Sequence, residues 1–407
     1  MEPGRRGRSD TTGHRRRLLR SGEGGEPPPA GRRPPLRLRG QLTAKGRQLV
    51  STTTQHTAHA AGTEPGIETI RSFPKVELHV HVEACLSSER IEELAAEFGV
   101  PMLRPAESLF DYSTLADFLA VYEWWCDLLR TEVIAEQLAY DAAAQLNEDG
   151  IVYAEVLCGP RYWPHLRREP LIEALATGFD RAHRDGHADC GLTPSISREQ
   201  SPEWAMGLVE WLGASGPPRV VGLGLDGNEE LLGRTSPKFT EVYARAADLG
   251  FGRTAHAGES SGPEGVWDAL EHLHLDRVDH GVRSIEDPAL LEHLAEQEIT
   301  LNVTPTSNVI TGLYPDVDHH PVGPLIEAGV PVTINSDDPK AMKVTLSGEF
   351  AAVSRSLGWS LADVAAATRR AVDAAFCDQE KAASLHRQVD DHLRDLTREP
   401  AGKDHHP

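Results

Sequence analysis

Two histidines one residue apart are the first sign of chemistry. They lie in Lys75-Val76-Glu77-Leu78-His79-Val80-His81, where apolar Val76, Leu78 and Val80 alternate with Glu77, His79 and His81. That alternation predicts a β-strand whose residues two apart share a side. His79 and His81 then project together, about 7 Å apart along the chain. Two imidazoles so placed can grip one divalent metal ion. Alone, such a pair is more often a hydrogen-bonded couple on a strand. Four later segments change the balance: Asp226-Gly227-Asn228-Glu229, His256-Ala257-Gly258-Glu259, Asp279-His280-Gly281 and Asn335-Ser336-Asp337-Asp338-Pro339. Each follows an apolar run, where a strand would end.

Among these residues, His79, His81, His256 and Asp337 offer nitrogen and carboxylate ligands. Such a set suits zinc with room for a water, and also accepts iron, cobalt or manganese. Zinc would bring the pKa of that water from 15.7 to about 7. Glu259, three residues beyond His256, can give or take a proton without being a ligand. His280 and Asp338 supply a second base and an orienting carboxylate. Gly227 offers a backbone N–H with no side chain in the way. An acid, a base, an activated water and a hydrogen-bonding floor suit hydrolysis at an electrophilic carbon. A phosphate substrate would call for an Arg/Lys cluster, which these segments lack.

The elements that must position these residues follow a repeating pattern. After the His79 strand, further strands are predicted at 151–157, 192–197, 220–225, 252–256, 277–280, 299–303 and 331–335. Helical stretches such as 239–249, 266–273 and 288–295 separate several of them. Eight alternating units predict a (β/α)8 barrel, whose chemistry sits at the carboxyl ends of its strands. A doubly wound open sheet is the competing reading, but no Gly-rich phosphate loop follows an early strand. Extra helix is expected after the first strand, capped at Ser87-Ser88 and again over 115–147. Trp124 and Trp125 fall in the latter stretch, as core rather than as a lid. Residues 360–396 read as a terminal helical cap.

The chain has 407 residues and a net charge of -21. Residues 1–50 hold thirteen Lys/Arg against four Asp/Glu, so the remainder carries about -30. An acidic body argues against nucleic acid as the main partner. Residues 1–67 are basic, rich in Arg, Pro and Gly, and lack apolar periodicity, so disorder is expected there. An RNA- or membrane-binding arm, a transit peptide, or a translation start further downstream are the other readings of that tail. The folded domain is expected over 68–398, with a flexible end at 399–407. No apolar run is long enough to span a bilayer. Five scattered cysteines without a Cys-x-x-Cys point to reduced thiols and a cytoplasmic setting.

Taken together, the segments Pro74–His81, His256–Glu259, Arg277–Gly281, Thr304–Asn308 and Asn335–Pro339 resemble the adenosine/adenine deaminase family of metal-dependent amidohydrolases. The resemblance runs from about residue 72 to 390. It implies that His79, His81, His256 and Asp337 hold one zinc ion. No Lys lies in the fourth-strand segment to bridge a second. It implies that Glu259 protonates N1 of a purine, that His280 handles the attacking water, and that Asp338 orients this water and touches N7. Gly227 would donate its N–H to N3, and ammonia would leave C6. The implied partners are a purine-type small molecule and water. Where adenosine-specific relatives carry x-Asp-Gly after the second histidine, with that Asp on a sugar hydroxyl, this chain has Val82-Glu83-Ala84. Glu83 looks like relatives that accept free adenine, or it orients a histidine from behind. Gly227-Asn228-Glu229 looks more like the adenosine type. A 6-aminopurine nucleoside is the leading substrate. Adenine, a modified purine nucleoside, or a non-catalytic purine-binding role on the same fold are the alternatives.

Overall fold

The computed structural model describes residues 64–112 and 115–398. The predicted basic tail up to residue 63 and the end at 399–407 lie outside the described residues. Helix Ile67–Ser72 is the first element, at the predicted start of the folded body.

Eight parallel strands form the centre. They are β1 (Lys75–His81), β2 (Ile151–Cys158), β3 (Asp189–Ser197), β4 (Gly222–Asp226), β5 in two short pieces (Gly252–Arg253 and His256–Ala257), β6 (Arg277–His280), β7 (Thr300–Val303) and β8 (Val332–Ile334). The two pieces of β5 are one path. Thr254 N donates to Leu223 O on β4 (3.0 Å), and Asp279 N on β6 donates to Ala255 O (2.9 Å). Each strand pairs with the next in sequence order. The ring closes where Val80 meets Asp337 in a parallel bridge. There His81 N donates to Asp337 O (2.9 Å) and Asp337 N to His79 O (3.1 Å). Sequential parallel pairing with helical crossovers and a closed seam is a (β/α)8 barrel.

β1 departs from simple alternation. Its register against β2 shifts between Glu77 and Val80, so three steps on β1 match two on β2. One extra residue reverses which face the following side chains take. Val76 and Leu78 pack with Tyr153, Ala371, Val372 and Leu385. Beyond the shift, Val80 joins the main core and His79 and His81 face the other strand ends. Glu77, predicted to share the histidines' side, instead accepts Ser336 N–H at 2.7 Å.

The amino ends of the strands are plugged by the terminal helices Leu361–Ala374 and Gln379–Thr397. Phe376, in the turn between them, lies against Gly222 and Gly252. A Cβ at either position would come within 2.8 or 2.2 Å of its ring. The Arg277 guanidinium stacks on the same ring at 3.7 Å and pairs with buried Glu155. The predicted helical stretch 115–147 is two helices, Leu115–Cys126 and Glu132–Glu148, the second capped by Thr131. Trp125 is core: it is buried, and its indole donates to Glu83 O at 3.3 Å. All five cysteines are free. Among the described residues no helix is long and apolar enough to cross a membrane.

Candidate active site

At the carboxyl ends of β1, β5, β6 and β8 the structure brings together His79, His81, His256, His280, Asp337 and Asp338. His79 Nε2 lies 3.1 Å from Asp337 Oδ1, and His81 Nε2 lies 3.5 Å from the same oxygen. The Nε2 atoms of His81 and His256 face each other at 3.2 Å. His79 and His256 ring centroids are 4.7 Å apart. One ligand atom from each of His79, His256, His280 and Asp337 falls within 4.8 Å of the others, and the same holds for His81, Asp337 and Asp338.

The backbone is bent to make this possible. Asp337 has φ 65° and His280 φ 62°, left-handed values uncommon for side-chain-bearing residues. Strain of this kind costs on the order of 1–3 kcal/mol per residue and persists where neighbours hold it. The seam hydrogen bonds to β1 hold Asp337, and Ser307 Oγ donates to its Oδ2 at 2.7 Å. Thr304 Oγ1 sits 3.1 Å from His280 Nδ1.

Two carboxylates that sequence reasoning left without a role stand behind the histidines. Asp226 Oδ1 lies 3.1 Å from His256 Nδ1, and Asp279 Oδ1 lies 3.5 Å from His79 Nδ1. A carboxylate on the far ring nitrogen fixes the tautomer and aims the near one inward. Their signal in the sequence was position alone: each is an acidic residue at a strand's carboxyl end.

Charge and burial divide the group. Burial pushes His81 down to about 4 and also lowers His280. Burial opposes protonation of His256, yet Asp226 beside it lifts that imidazole to about 10. Burial would raise Asp337, but the His79 imidazole holds it well below the usual carboxylate range. Burial, then the Asp337 charge next door, pushes Asp338 well above it.

The donor set fits a zinc ion on one direct observation. The Nε2 atoms of His81 and His256 point at each other at 3.2 Å, and those of His79 and His81 both face the single oxygen Asp337 Oδ1, at 3.1 and 3.5 Å. Buried polar atoms are seldom left so. A cation among them satisfies these lone pairs together with the Asp337 carboxylate. Three imidazoles and a carboxylate are a zinc-type set.

A cavity of about 290 Å³ opens above this cluster. Gly227, Glu259, His280 and Asp338 line it, with Phe118, Tyr122 and Tyr162 forming an aromatic wall. Glu259 Oε2 lies 3.8 Å from His280 Nε2. Gly227 has φ 110°, which opens the backbone there and disfavours any other residue.

Glu83 is anchored beside the site by its own contacts. It is fully buried and does not line the cavity. Its Oε1 accepts Gly159 N–H at 2.9 Å and Trp163 Nε1–H at 2.7 Å, while its Oε2 is buried without a hydrogen-bond partner. The short helical turn Val82–Cys85 that follows β1 carries it away from the strand's line.

Glu349 is a second carboxylate that supports the site from below. It is fully buried and accepts Thr306 N–H at 3.1 Å, in the turn that carries Ser307. Burial raises its pKa to about 8 from an ordinary 4.5. The native state then binds a proton that the unfolded chain has released between those values. Its stabilising contribution is full below about pH 4.5 and is lost as pH rises through about 8. Glu349→Gln keeps an acceptor for Thr306 without the charge. Thermal unfolding of this variant should show a flatter decline from pH 5 to 8 than the wild type, and a higher midpoint at pH 8.

The family model described as adenosine deaminase matches residues 74–392. An adenine deaminase of Vibrio parahaemolyticus is 32% identical over 332 residues, covering 80% of this chain and 97% of the relative. An aminodeoxyfutalosine deaminase of Streptomyces avermitilis is 35% identical over 334 residues, 79% of this chain and 91% of the relative. Among solved structures, an amidohydrolase from Burkhoderia ambifaria with bound Zn superposes with a TM-score of 0.73 at 28% identity, covering 81% of this chain and 94% of that one.

Proposed function

The chain belongs to the adenosine deaminase family, hydrolases acting on C–N bonds, and on that premise we propose that it converts a 6-aminopurine nucleoside to the 6-oxo product with release of ammonia. The observation that carries this reading is the position of Glu259. Its carboxyl stands at the cavity wall, 3.8 Å from His280 Nε2 and just above the histidine–aspartate cluster.

His79, His81, His256 and Asp337 would hold one zinc ion. Zinc, when bound there, supplies a water acidified to a pKa of about 7. The remaining steps belong to side chains. Glu259 gives a proton to N1 of the purine, which makes C6 electrophilic. His280, kept neutral by burial, accepts a proton from the water that adds to C6. Asp338 orients the attacking water and touches N7. The Gly227 N–H holds N3. His280 passes its proton on to the amino group, the C6–N bond breaks and ammonia leaves, and the proton on the added oxygen restores Glu259 as the C6=O bond forms. Donors fixed in a dry site strengthen each contact as charge develops.

The nucleoside, rather than the free base, is favoured by where Glu83 lies. Glu83, a feature that pointed to free adenine, does not line the cavity. Space toward Phe118, Tyr122 and Tyr162 is left for a sugar and an apolar substituent. A nucleotide finds little support: Asp226, Glu230, Glu259, Asp337 and Asp338 line the same cavity, and its one guanidinium, Arg283, is engaged by Glu286 at 2.6 and 2.9 Å. The small-molecule purine and water are the proposed partners, and the five free cysteines support a cytoplasmic setting.

The test is ammonia release by zinc-loaded protein from adenine, adenosine, a 5′-apolar adenosine and adenosine 5′-monophosphate. The nucleosides should turn over at least tenfold more efficiently than base or nucleotide. Faster turnover of adenine would contradict the nucleoside reading. No ammonia from any of them would contradict the deaminase.

A further inference from the structure

Arg198 and Glu229 form a charged pair in a part of the protein where charges are expensive. Arg198 is 5% exposed and Glu229 4%. The guanidinium lies at the end of β3, with Nη2 3.7 Å from Glu229 Oε1. Desolvation at this depth is costly, and a hydrophobic pair of similar size is often as stable. The pair therefore calls for an explanation beyond stability.

Its remaining contacts supply one. Arg198 Nη1 donates to Gly227 O at 3.0 Å, and Nη2 donates to His256 O at 2.6 Å. Glu229 Oε2 accepts Glu259 N–H at 3.3 Å and Ser261 N–H at 3.2 Å. Glu229 N donates to Ser260 Oγ at 3.0 Å. Three strand ends are thus tied to one ion pair. Three of the four backbone groups it grips belong to residues assigned above to substrate or metal: Gly227, His256 and Glu259. Glu229 does not reach the cavity, and Arg198 does not either. In the turn 258–261 that carries Glu259, Gly258 has φ 66° and its O accepts Arg283 N–H at 3.2 Å, and the Glu259 side chain is partly exposed.

We propose that Arg198 and Glu229 are positioning residues for deamination. They fix the peptide of Glu259 and the Gly227 carbonyl so that the acid at N1 and the N–H at N3 grip opposite edges of the same purine. This inference rests on the deaminase reading. A misplacement of about 1 Å at a catalytic group can cost about a hundredfold in rate. The carboxylate under Glu259 N–H is what prevents it.

The test is a double-mutant cycle on kcat, measured on zinc-loaded protein with the best nucleoside of the panel. Glu229→Gln should lower kcat about 10- to 100-fold, while zinc content and the visible spectrum of the cobalt-substituted enzyme stay as in wild type. In a Glu259→Gln background the same substitution should cost less than threefold, because the acid it positions is already gone. Equal losses in both backgrounds would overturn the proposal, as would a cobalt spectrum that changes with Glu229→Gln. Should the lone Arg198 charge unfold the single variant, Arg198→Gln/Glu229→Gln removes both charges and should show the same kcat loss. A double variant with wild-type kcat, or a pair that cannot be removed without unfolding, marks it as structural and sinks the idea. Wild-type protein that releases no ammonia is a separate result and defeats the deaminase reading instead.

Discussion

Glu259→Gln should yield a folded, zinc-replete protein whose deamination rate has fallen about 10²- to 10⁴-fold, the range that a positioned acid contributes. The amide is nearly isosteric and can still hydrogen-bond to N1, but it has no proton to transfer. C6 of a neutral aminopurine is a poor electrophile, so the loss should appear in kcat and in kcat/KM together, the mark of an interaction made in the transition state. Zinc content should not change, because Glu259 lies outside the cluster of ligand atoms formed by His79, His81, His256 and Asp337. Steady-state ammonia release with parallel metal analysis checks both statements. A variant that keeps wild-type kcat would remove Glu259 from the chemistry.

Chelation should have the second large effect. Stripping the metal is expected to abolish turnover and to lower the thermal midpoint by several degrees. A ligand bound only by the native state, held at a thousand times its Kd, contributes about 4 kcal/mol. His81 and His256 present ring nitrogens to each other at 3.2 Å, and Asp337 and Asp338 stand side by side in a buried site. These groups are tolerable only when their charge and lone pairs are answered. Scanning calorimetry of apo and zinc-loaded protein reads the stability change. Turnover that survives complete removal would contradict the role given to the metal.

Much of this architecture was legible before any coordinates. Strand–helix alternation pointed to the barrel, and unusual polar residues at strand ends pointed to one rim. That worked because a barrel collects all its carboxyl strand ends on one face. The misses have a common cause. The register shift in β1 puts Val76 and Leu78 in one packing group and then turns His79 and His81 to the rim. An extra residue in a strand leaves no mark in residue type. Glu83 was read by its offset from His81, but a turn of helix begins at Val82 and carries it to Trp163 and Gly159. Asp226, Asp279, Arg198 and Glu229 act through partners 30 to 200 residues away. Their roles depend on which strands become neighbours, which spacing along the chain does not state.

The central claim is that three segments, separated by up to 258 positions in the sequence, converge with their four ligands on one cation. Anomalous diffraction at the zinc edge from crystals of zinc-loaded protein tests it most directly. One peak per chain is predicted, about 2.0–2.2 Å from nitrogens of His79, His81 and His256 and from a carboxylate oxygen of Asp337. A peak elsewhere, two peaks in the site, or none at full zinc loading would contradict the account.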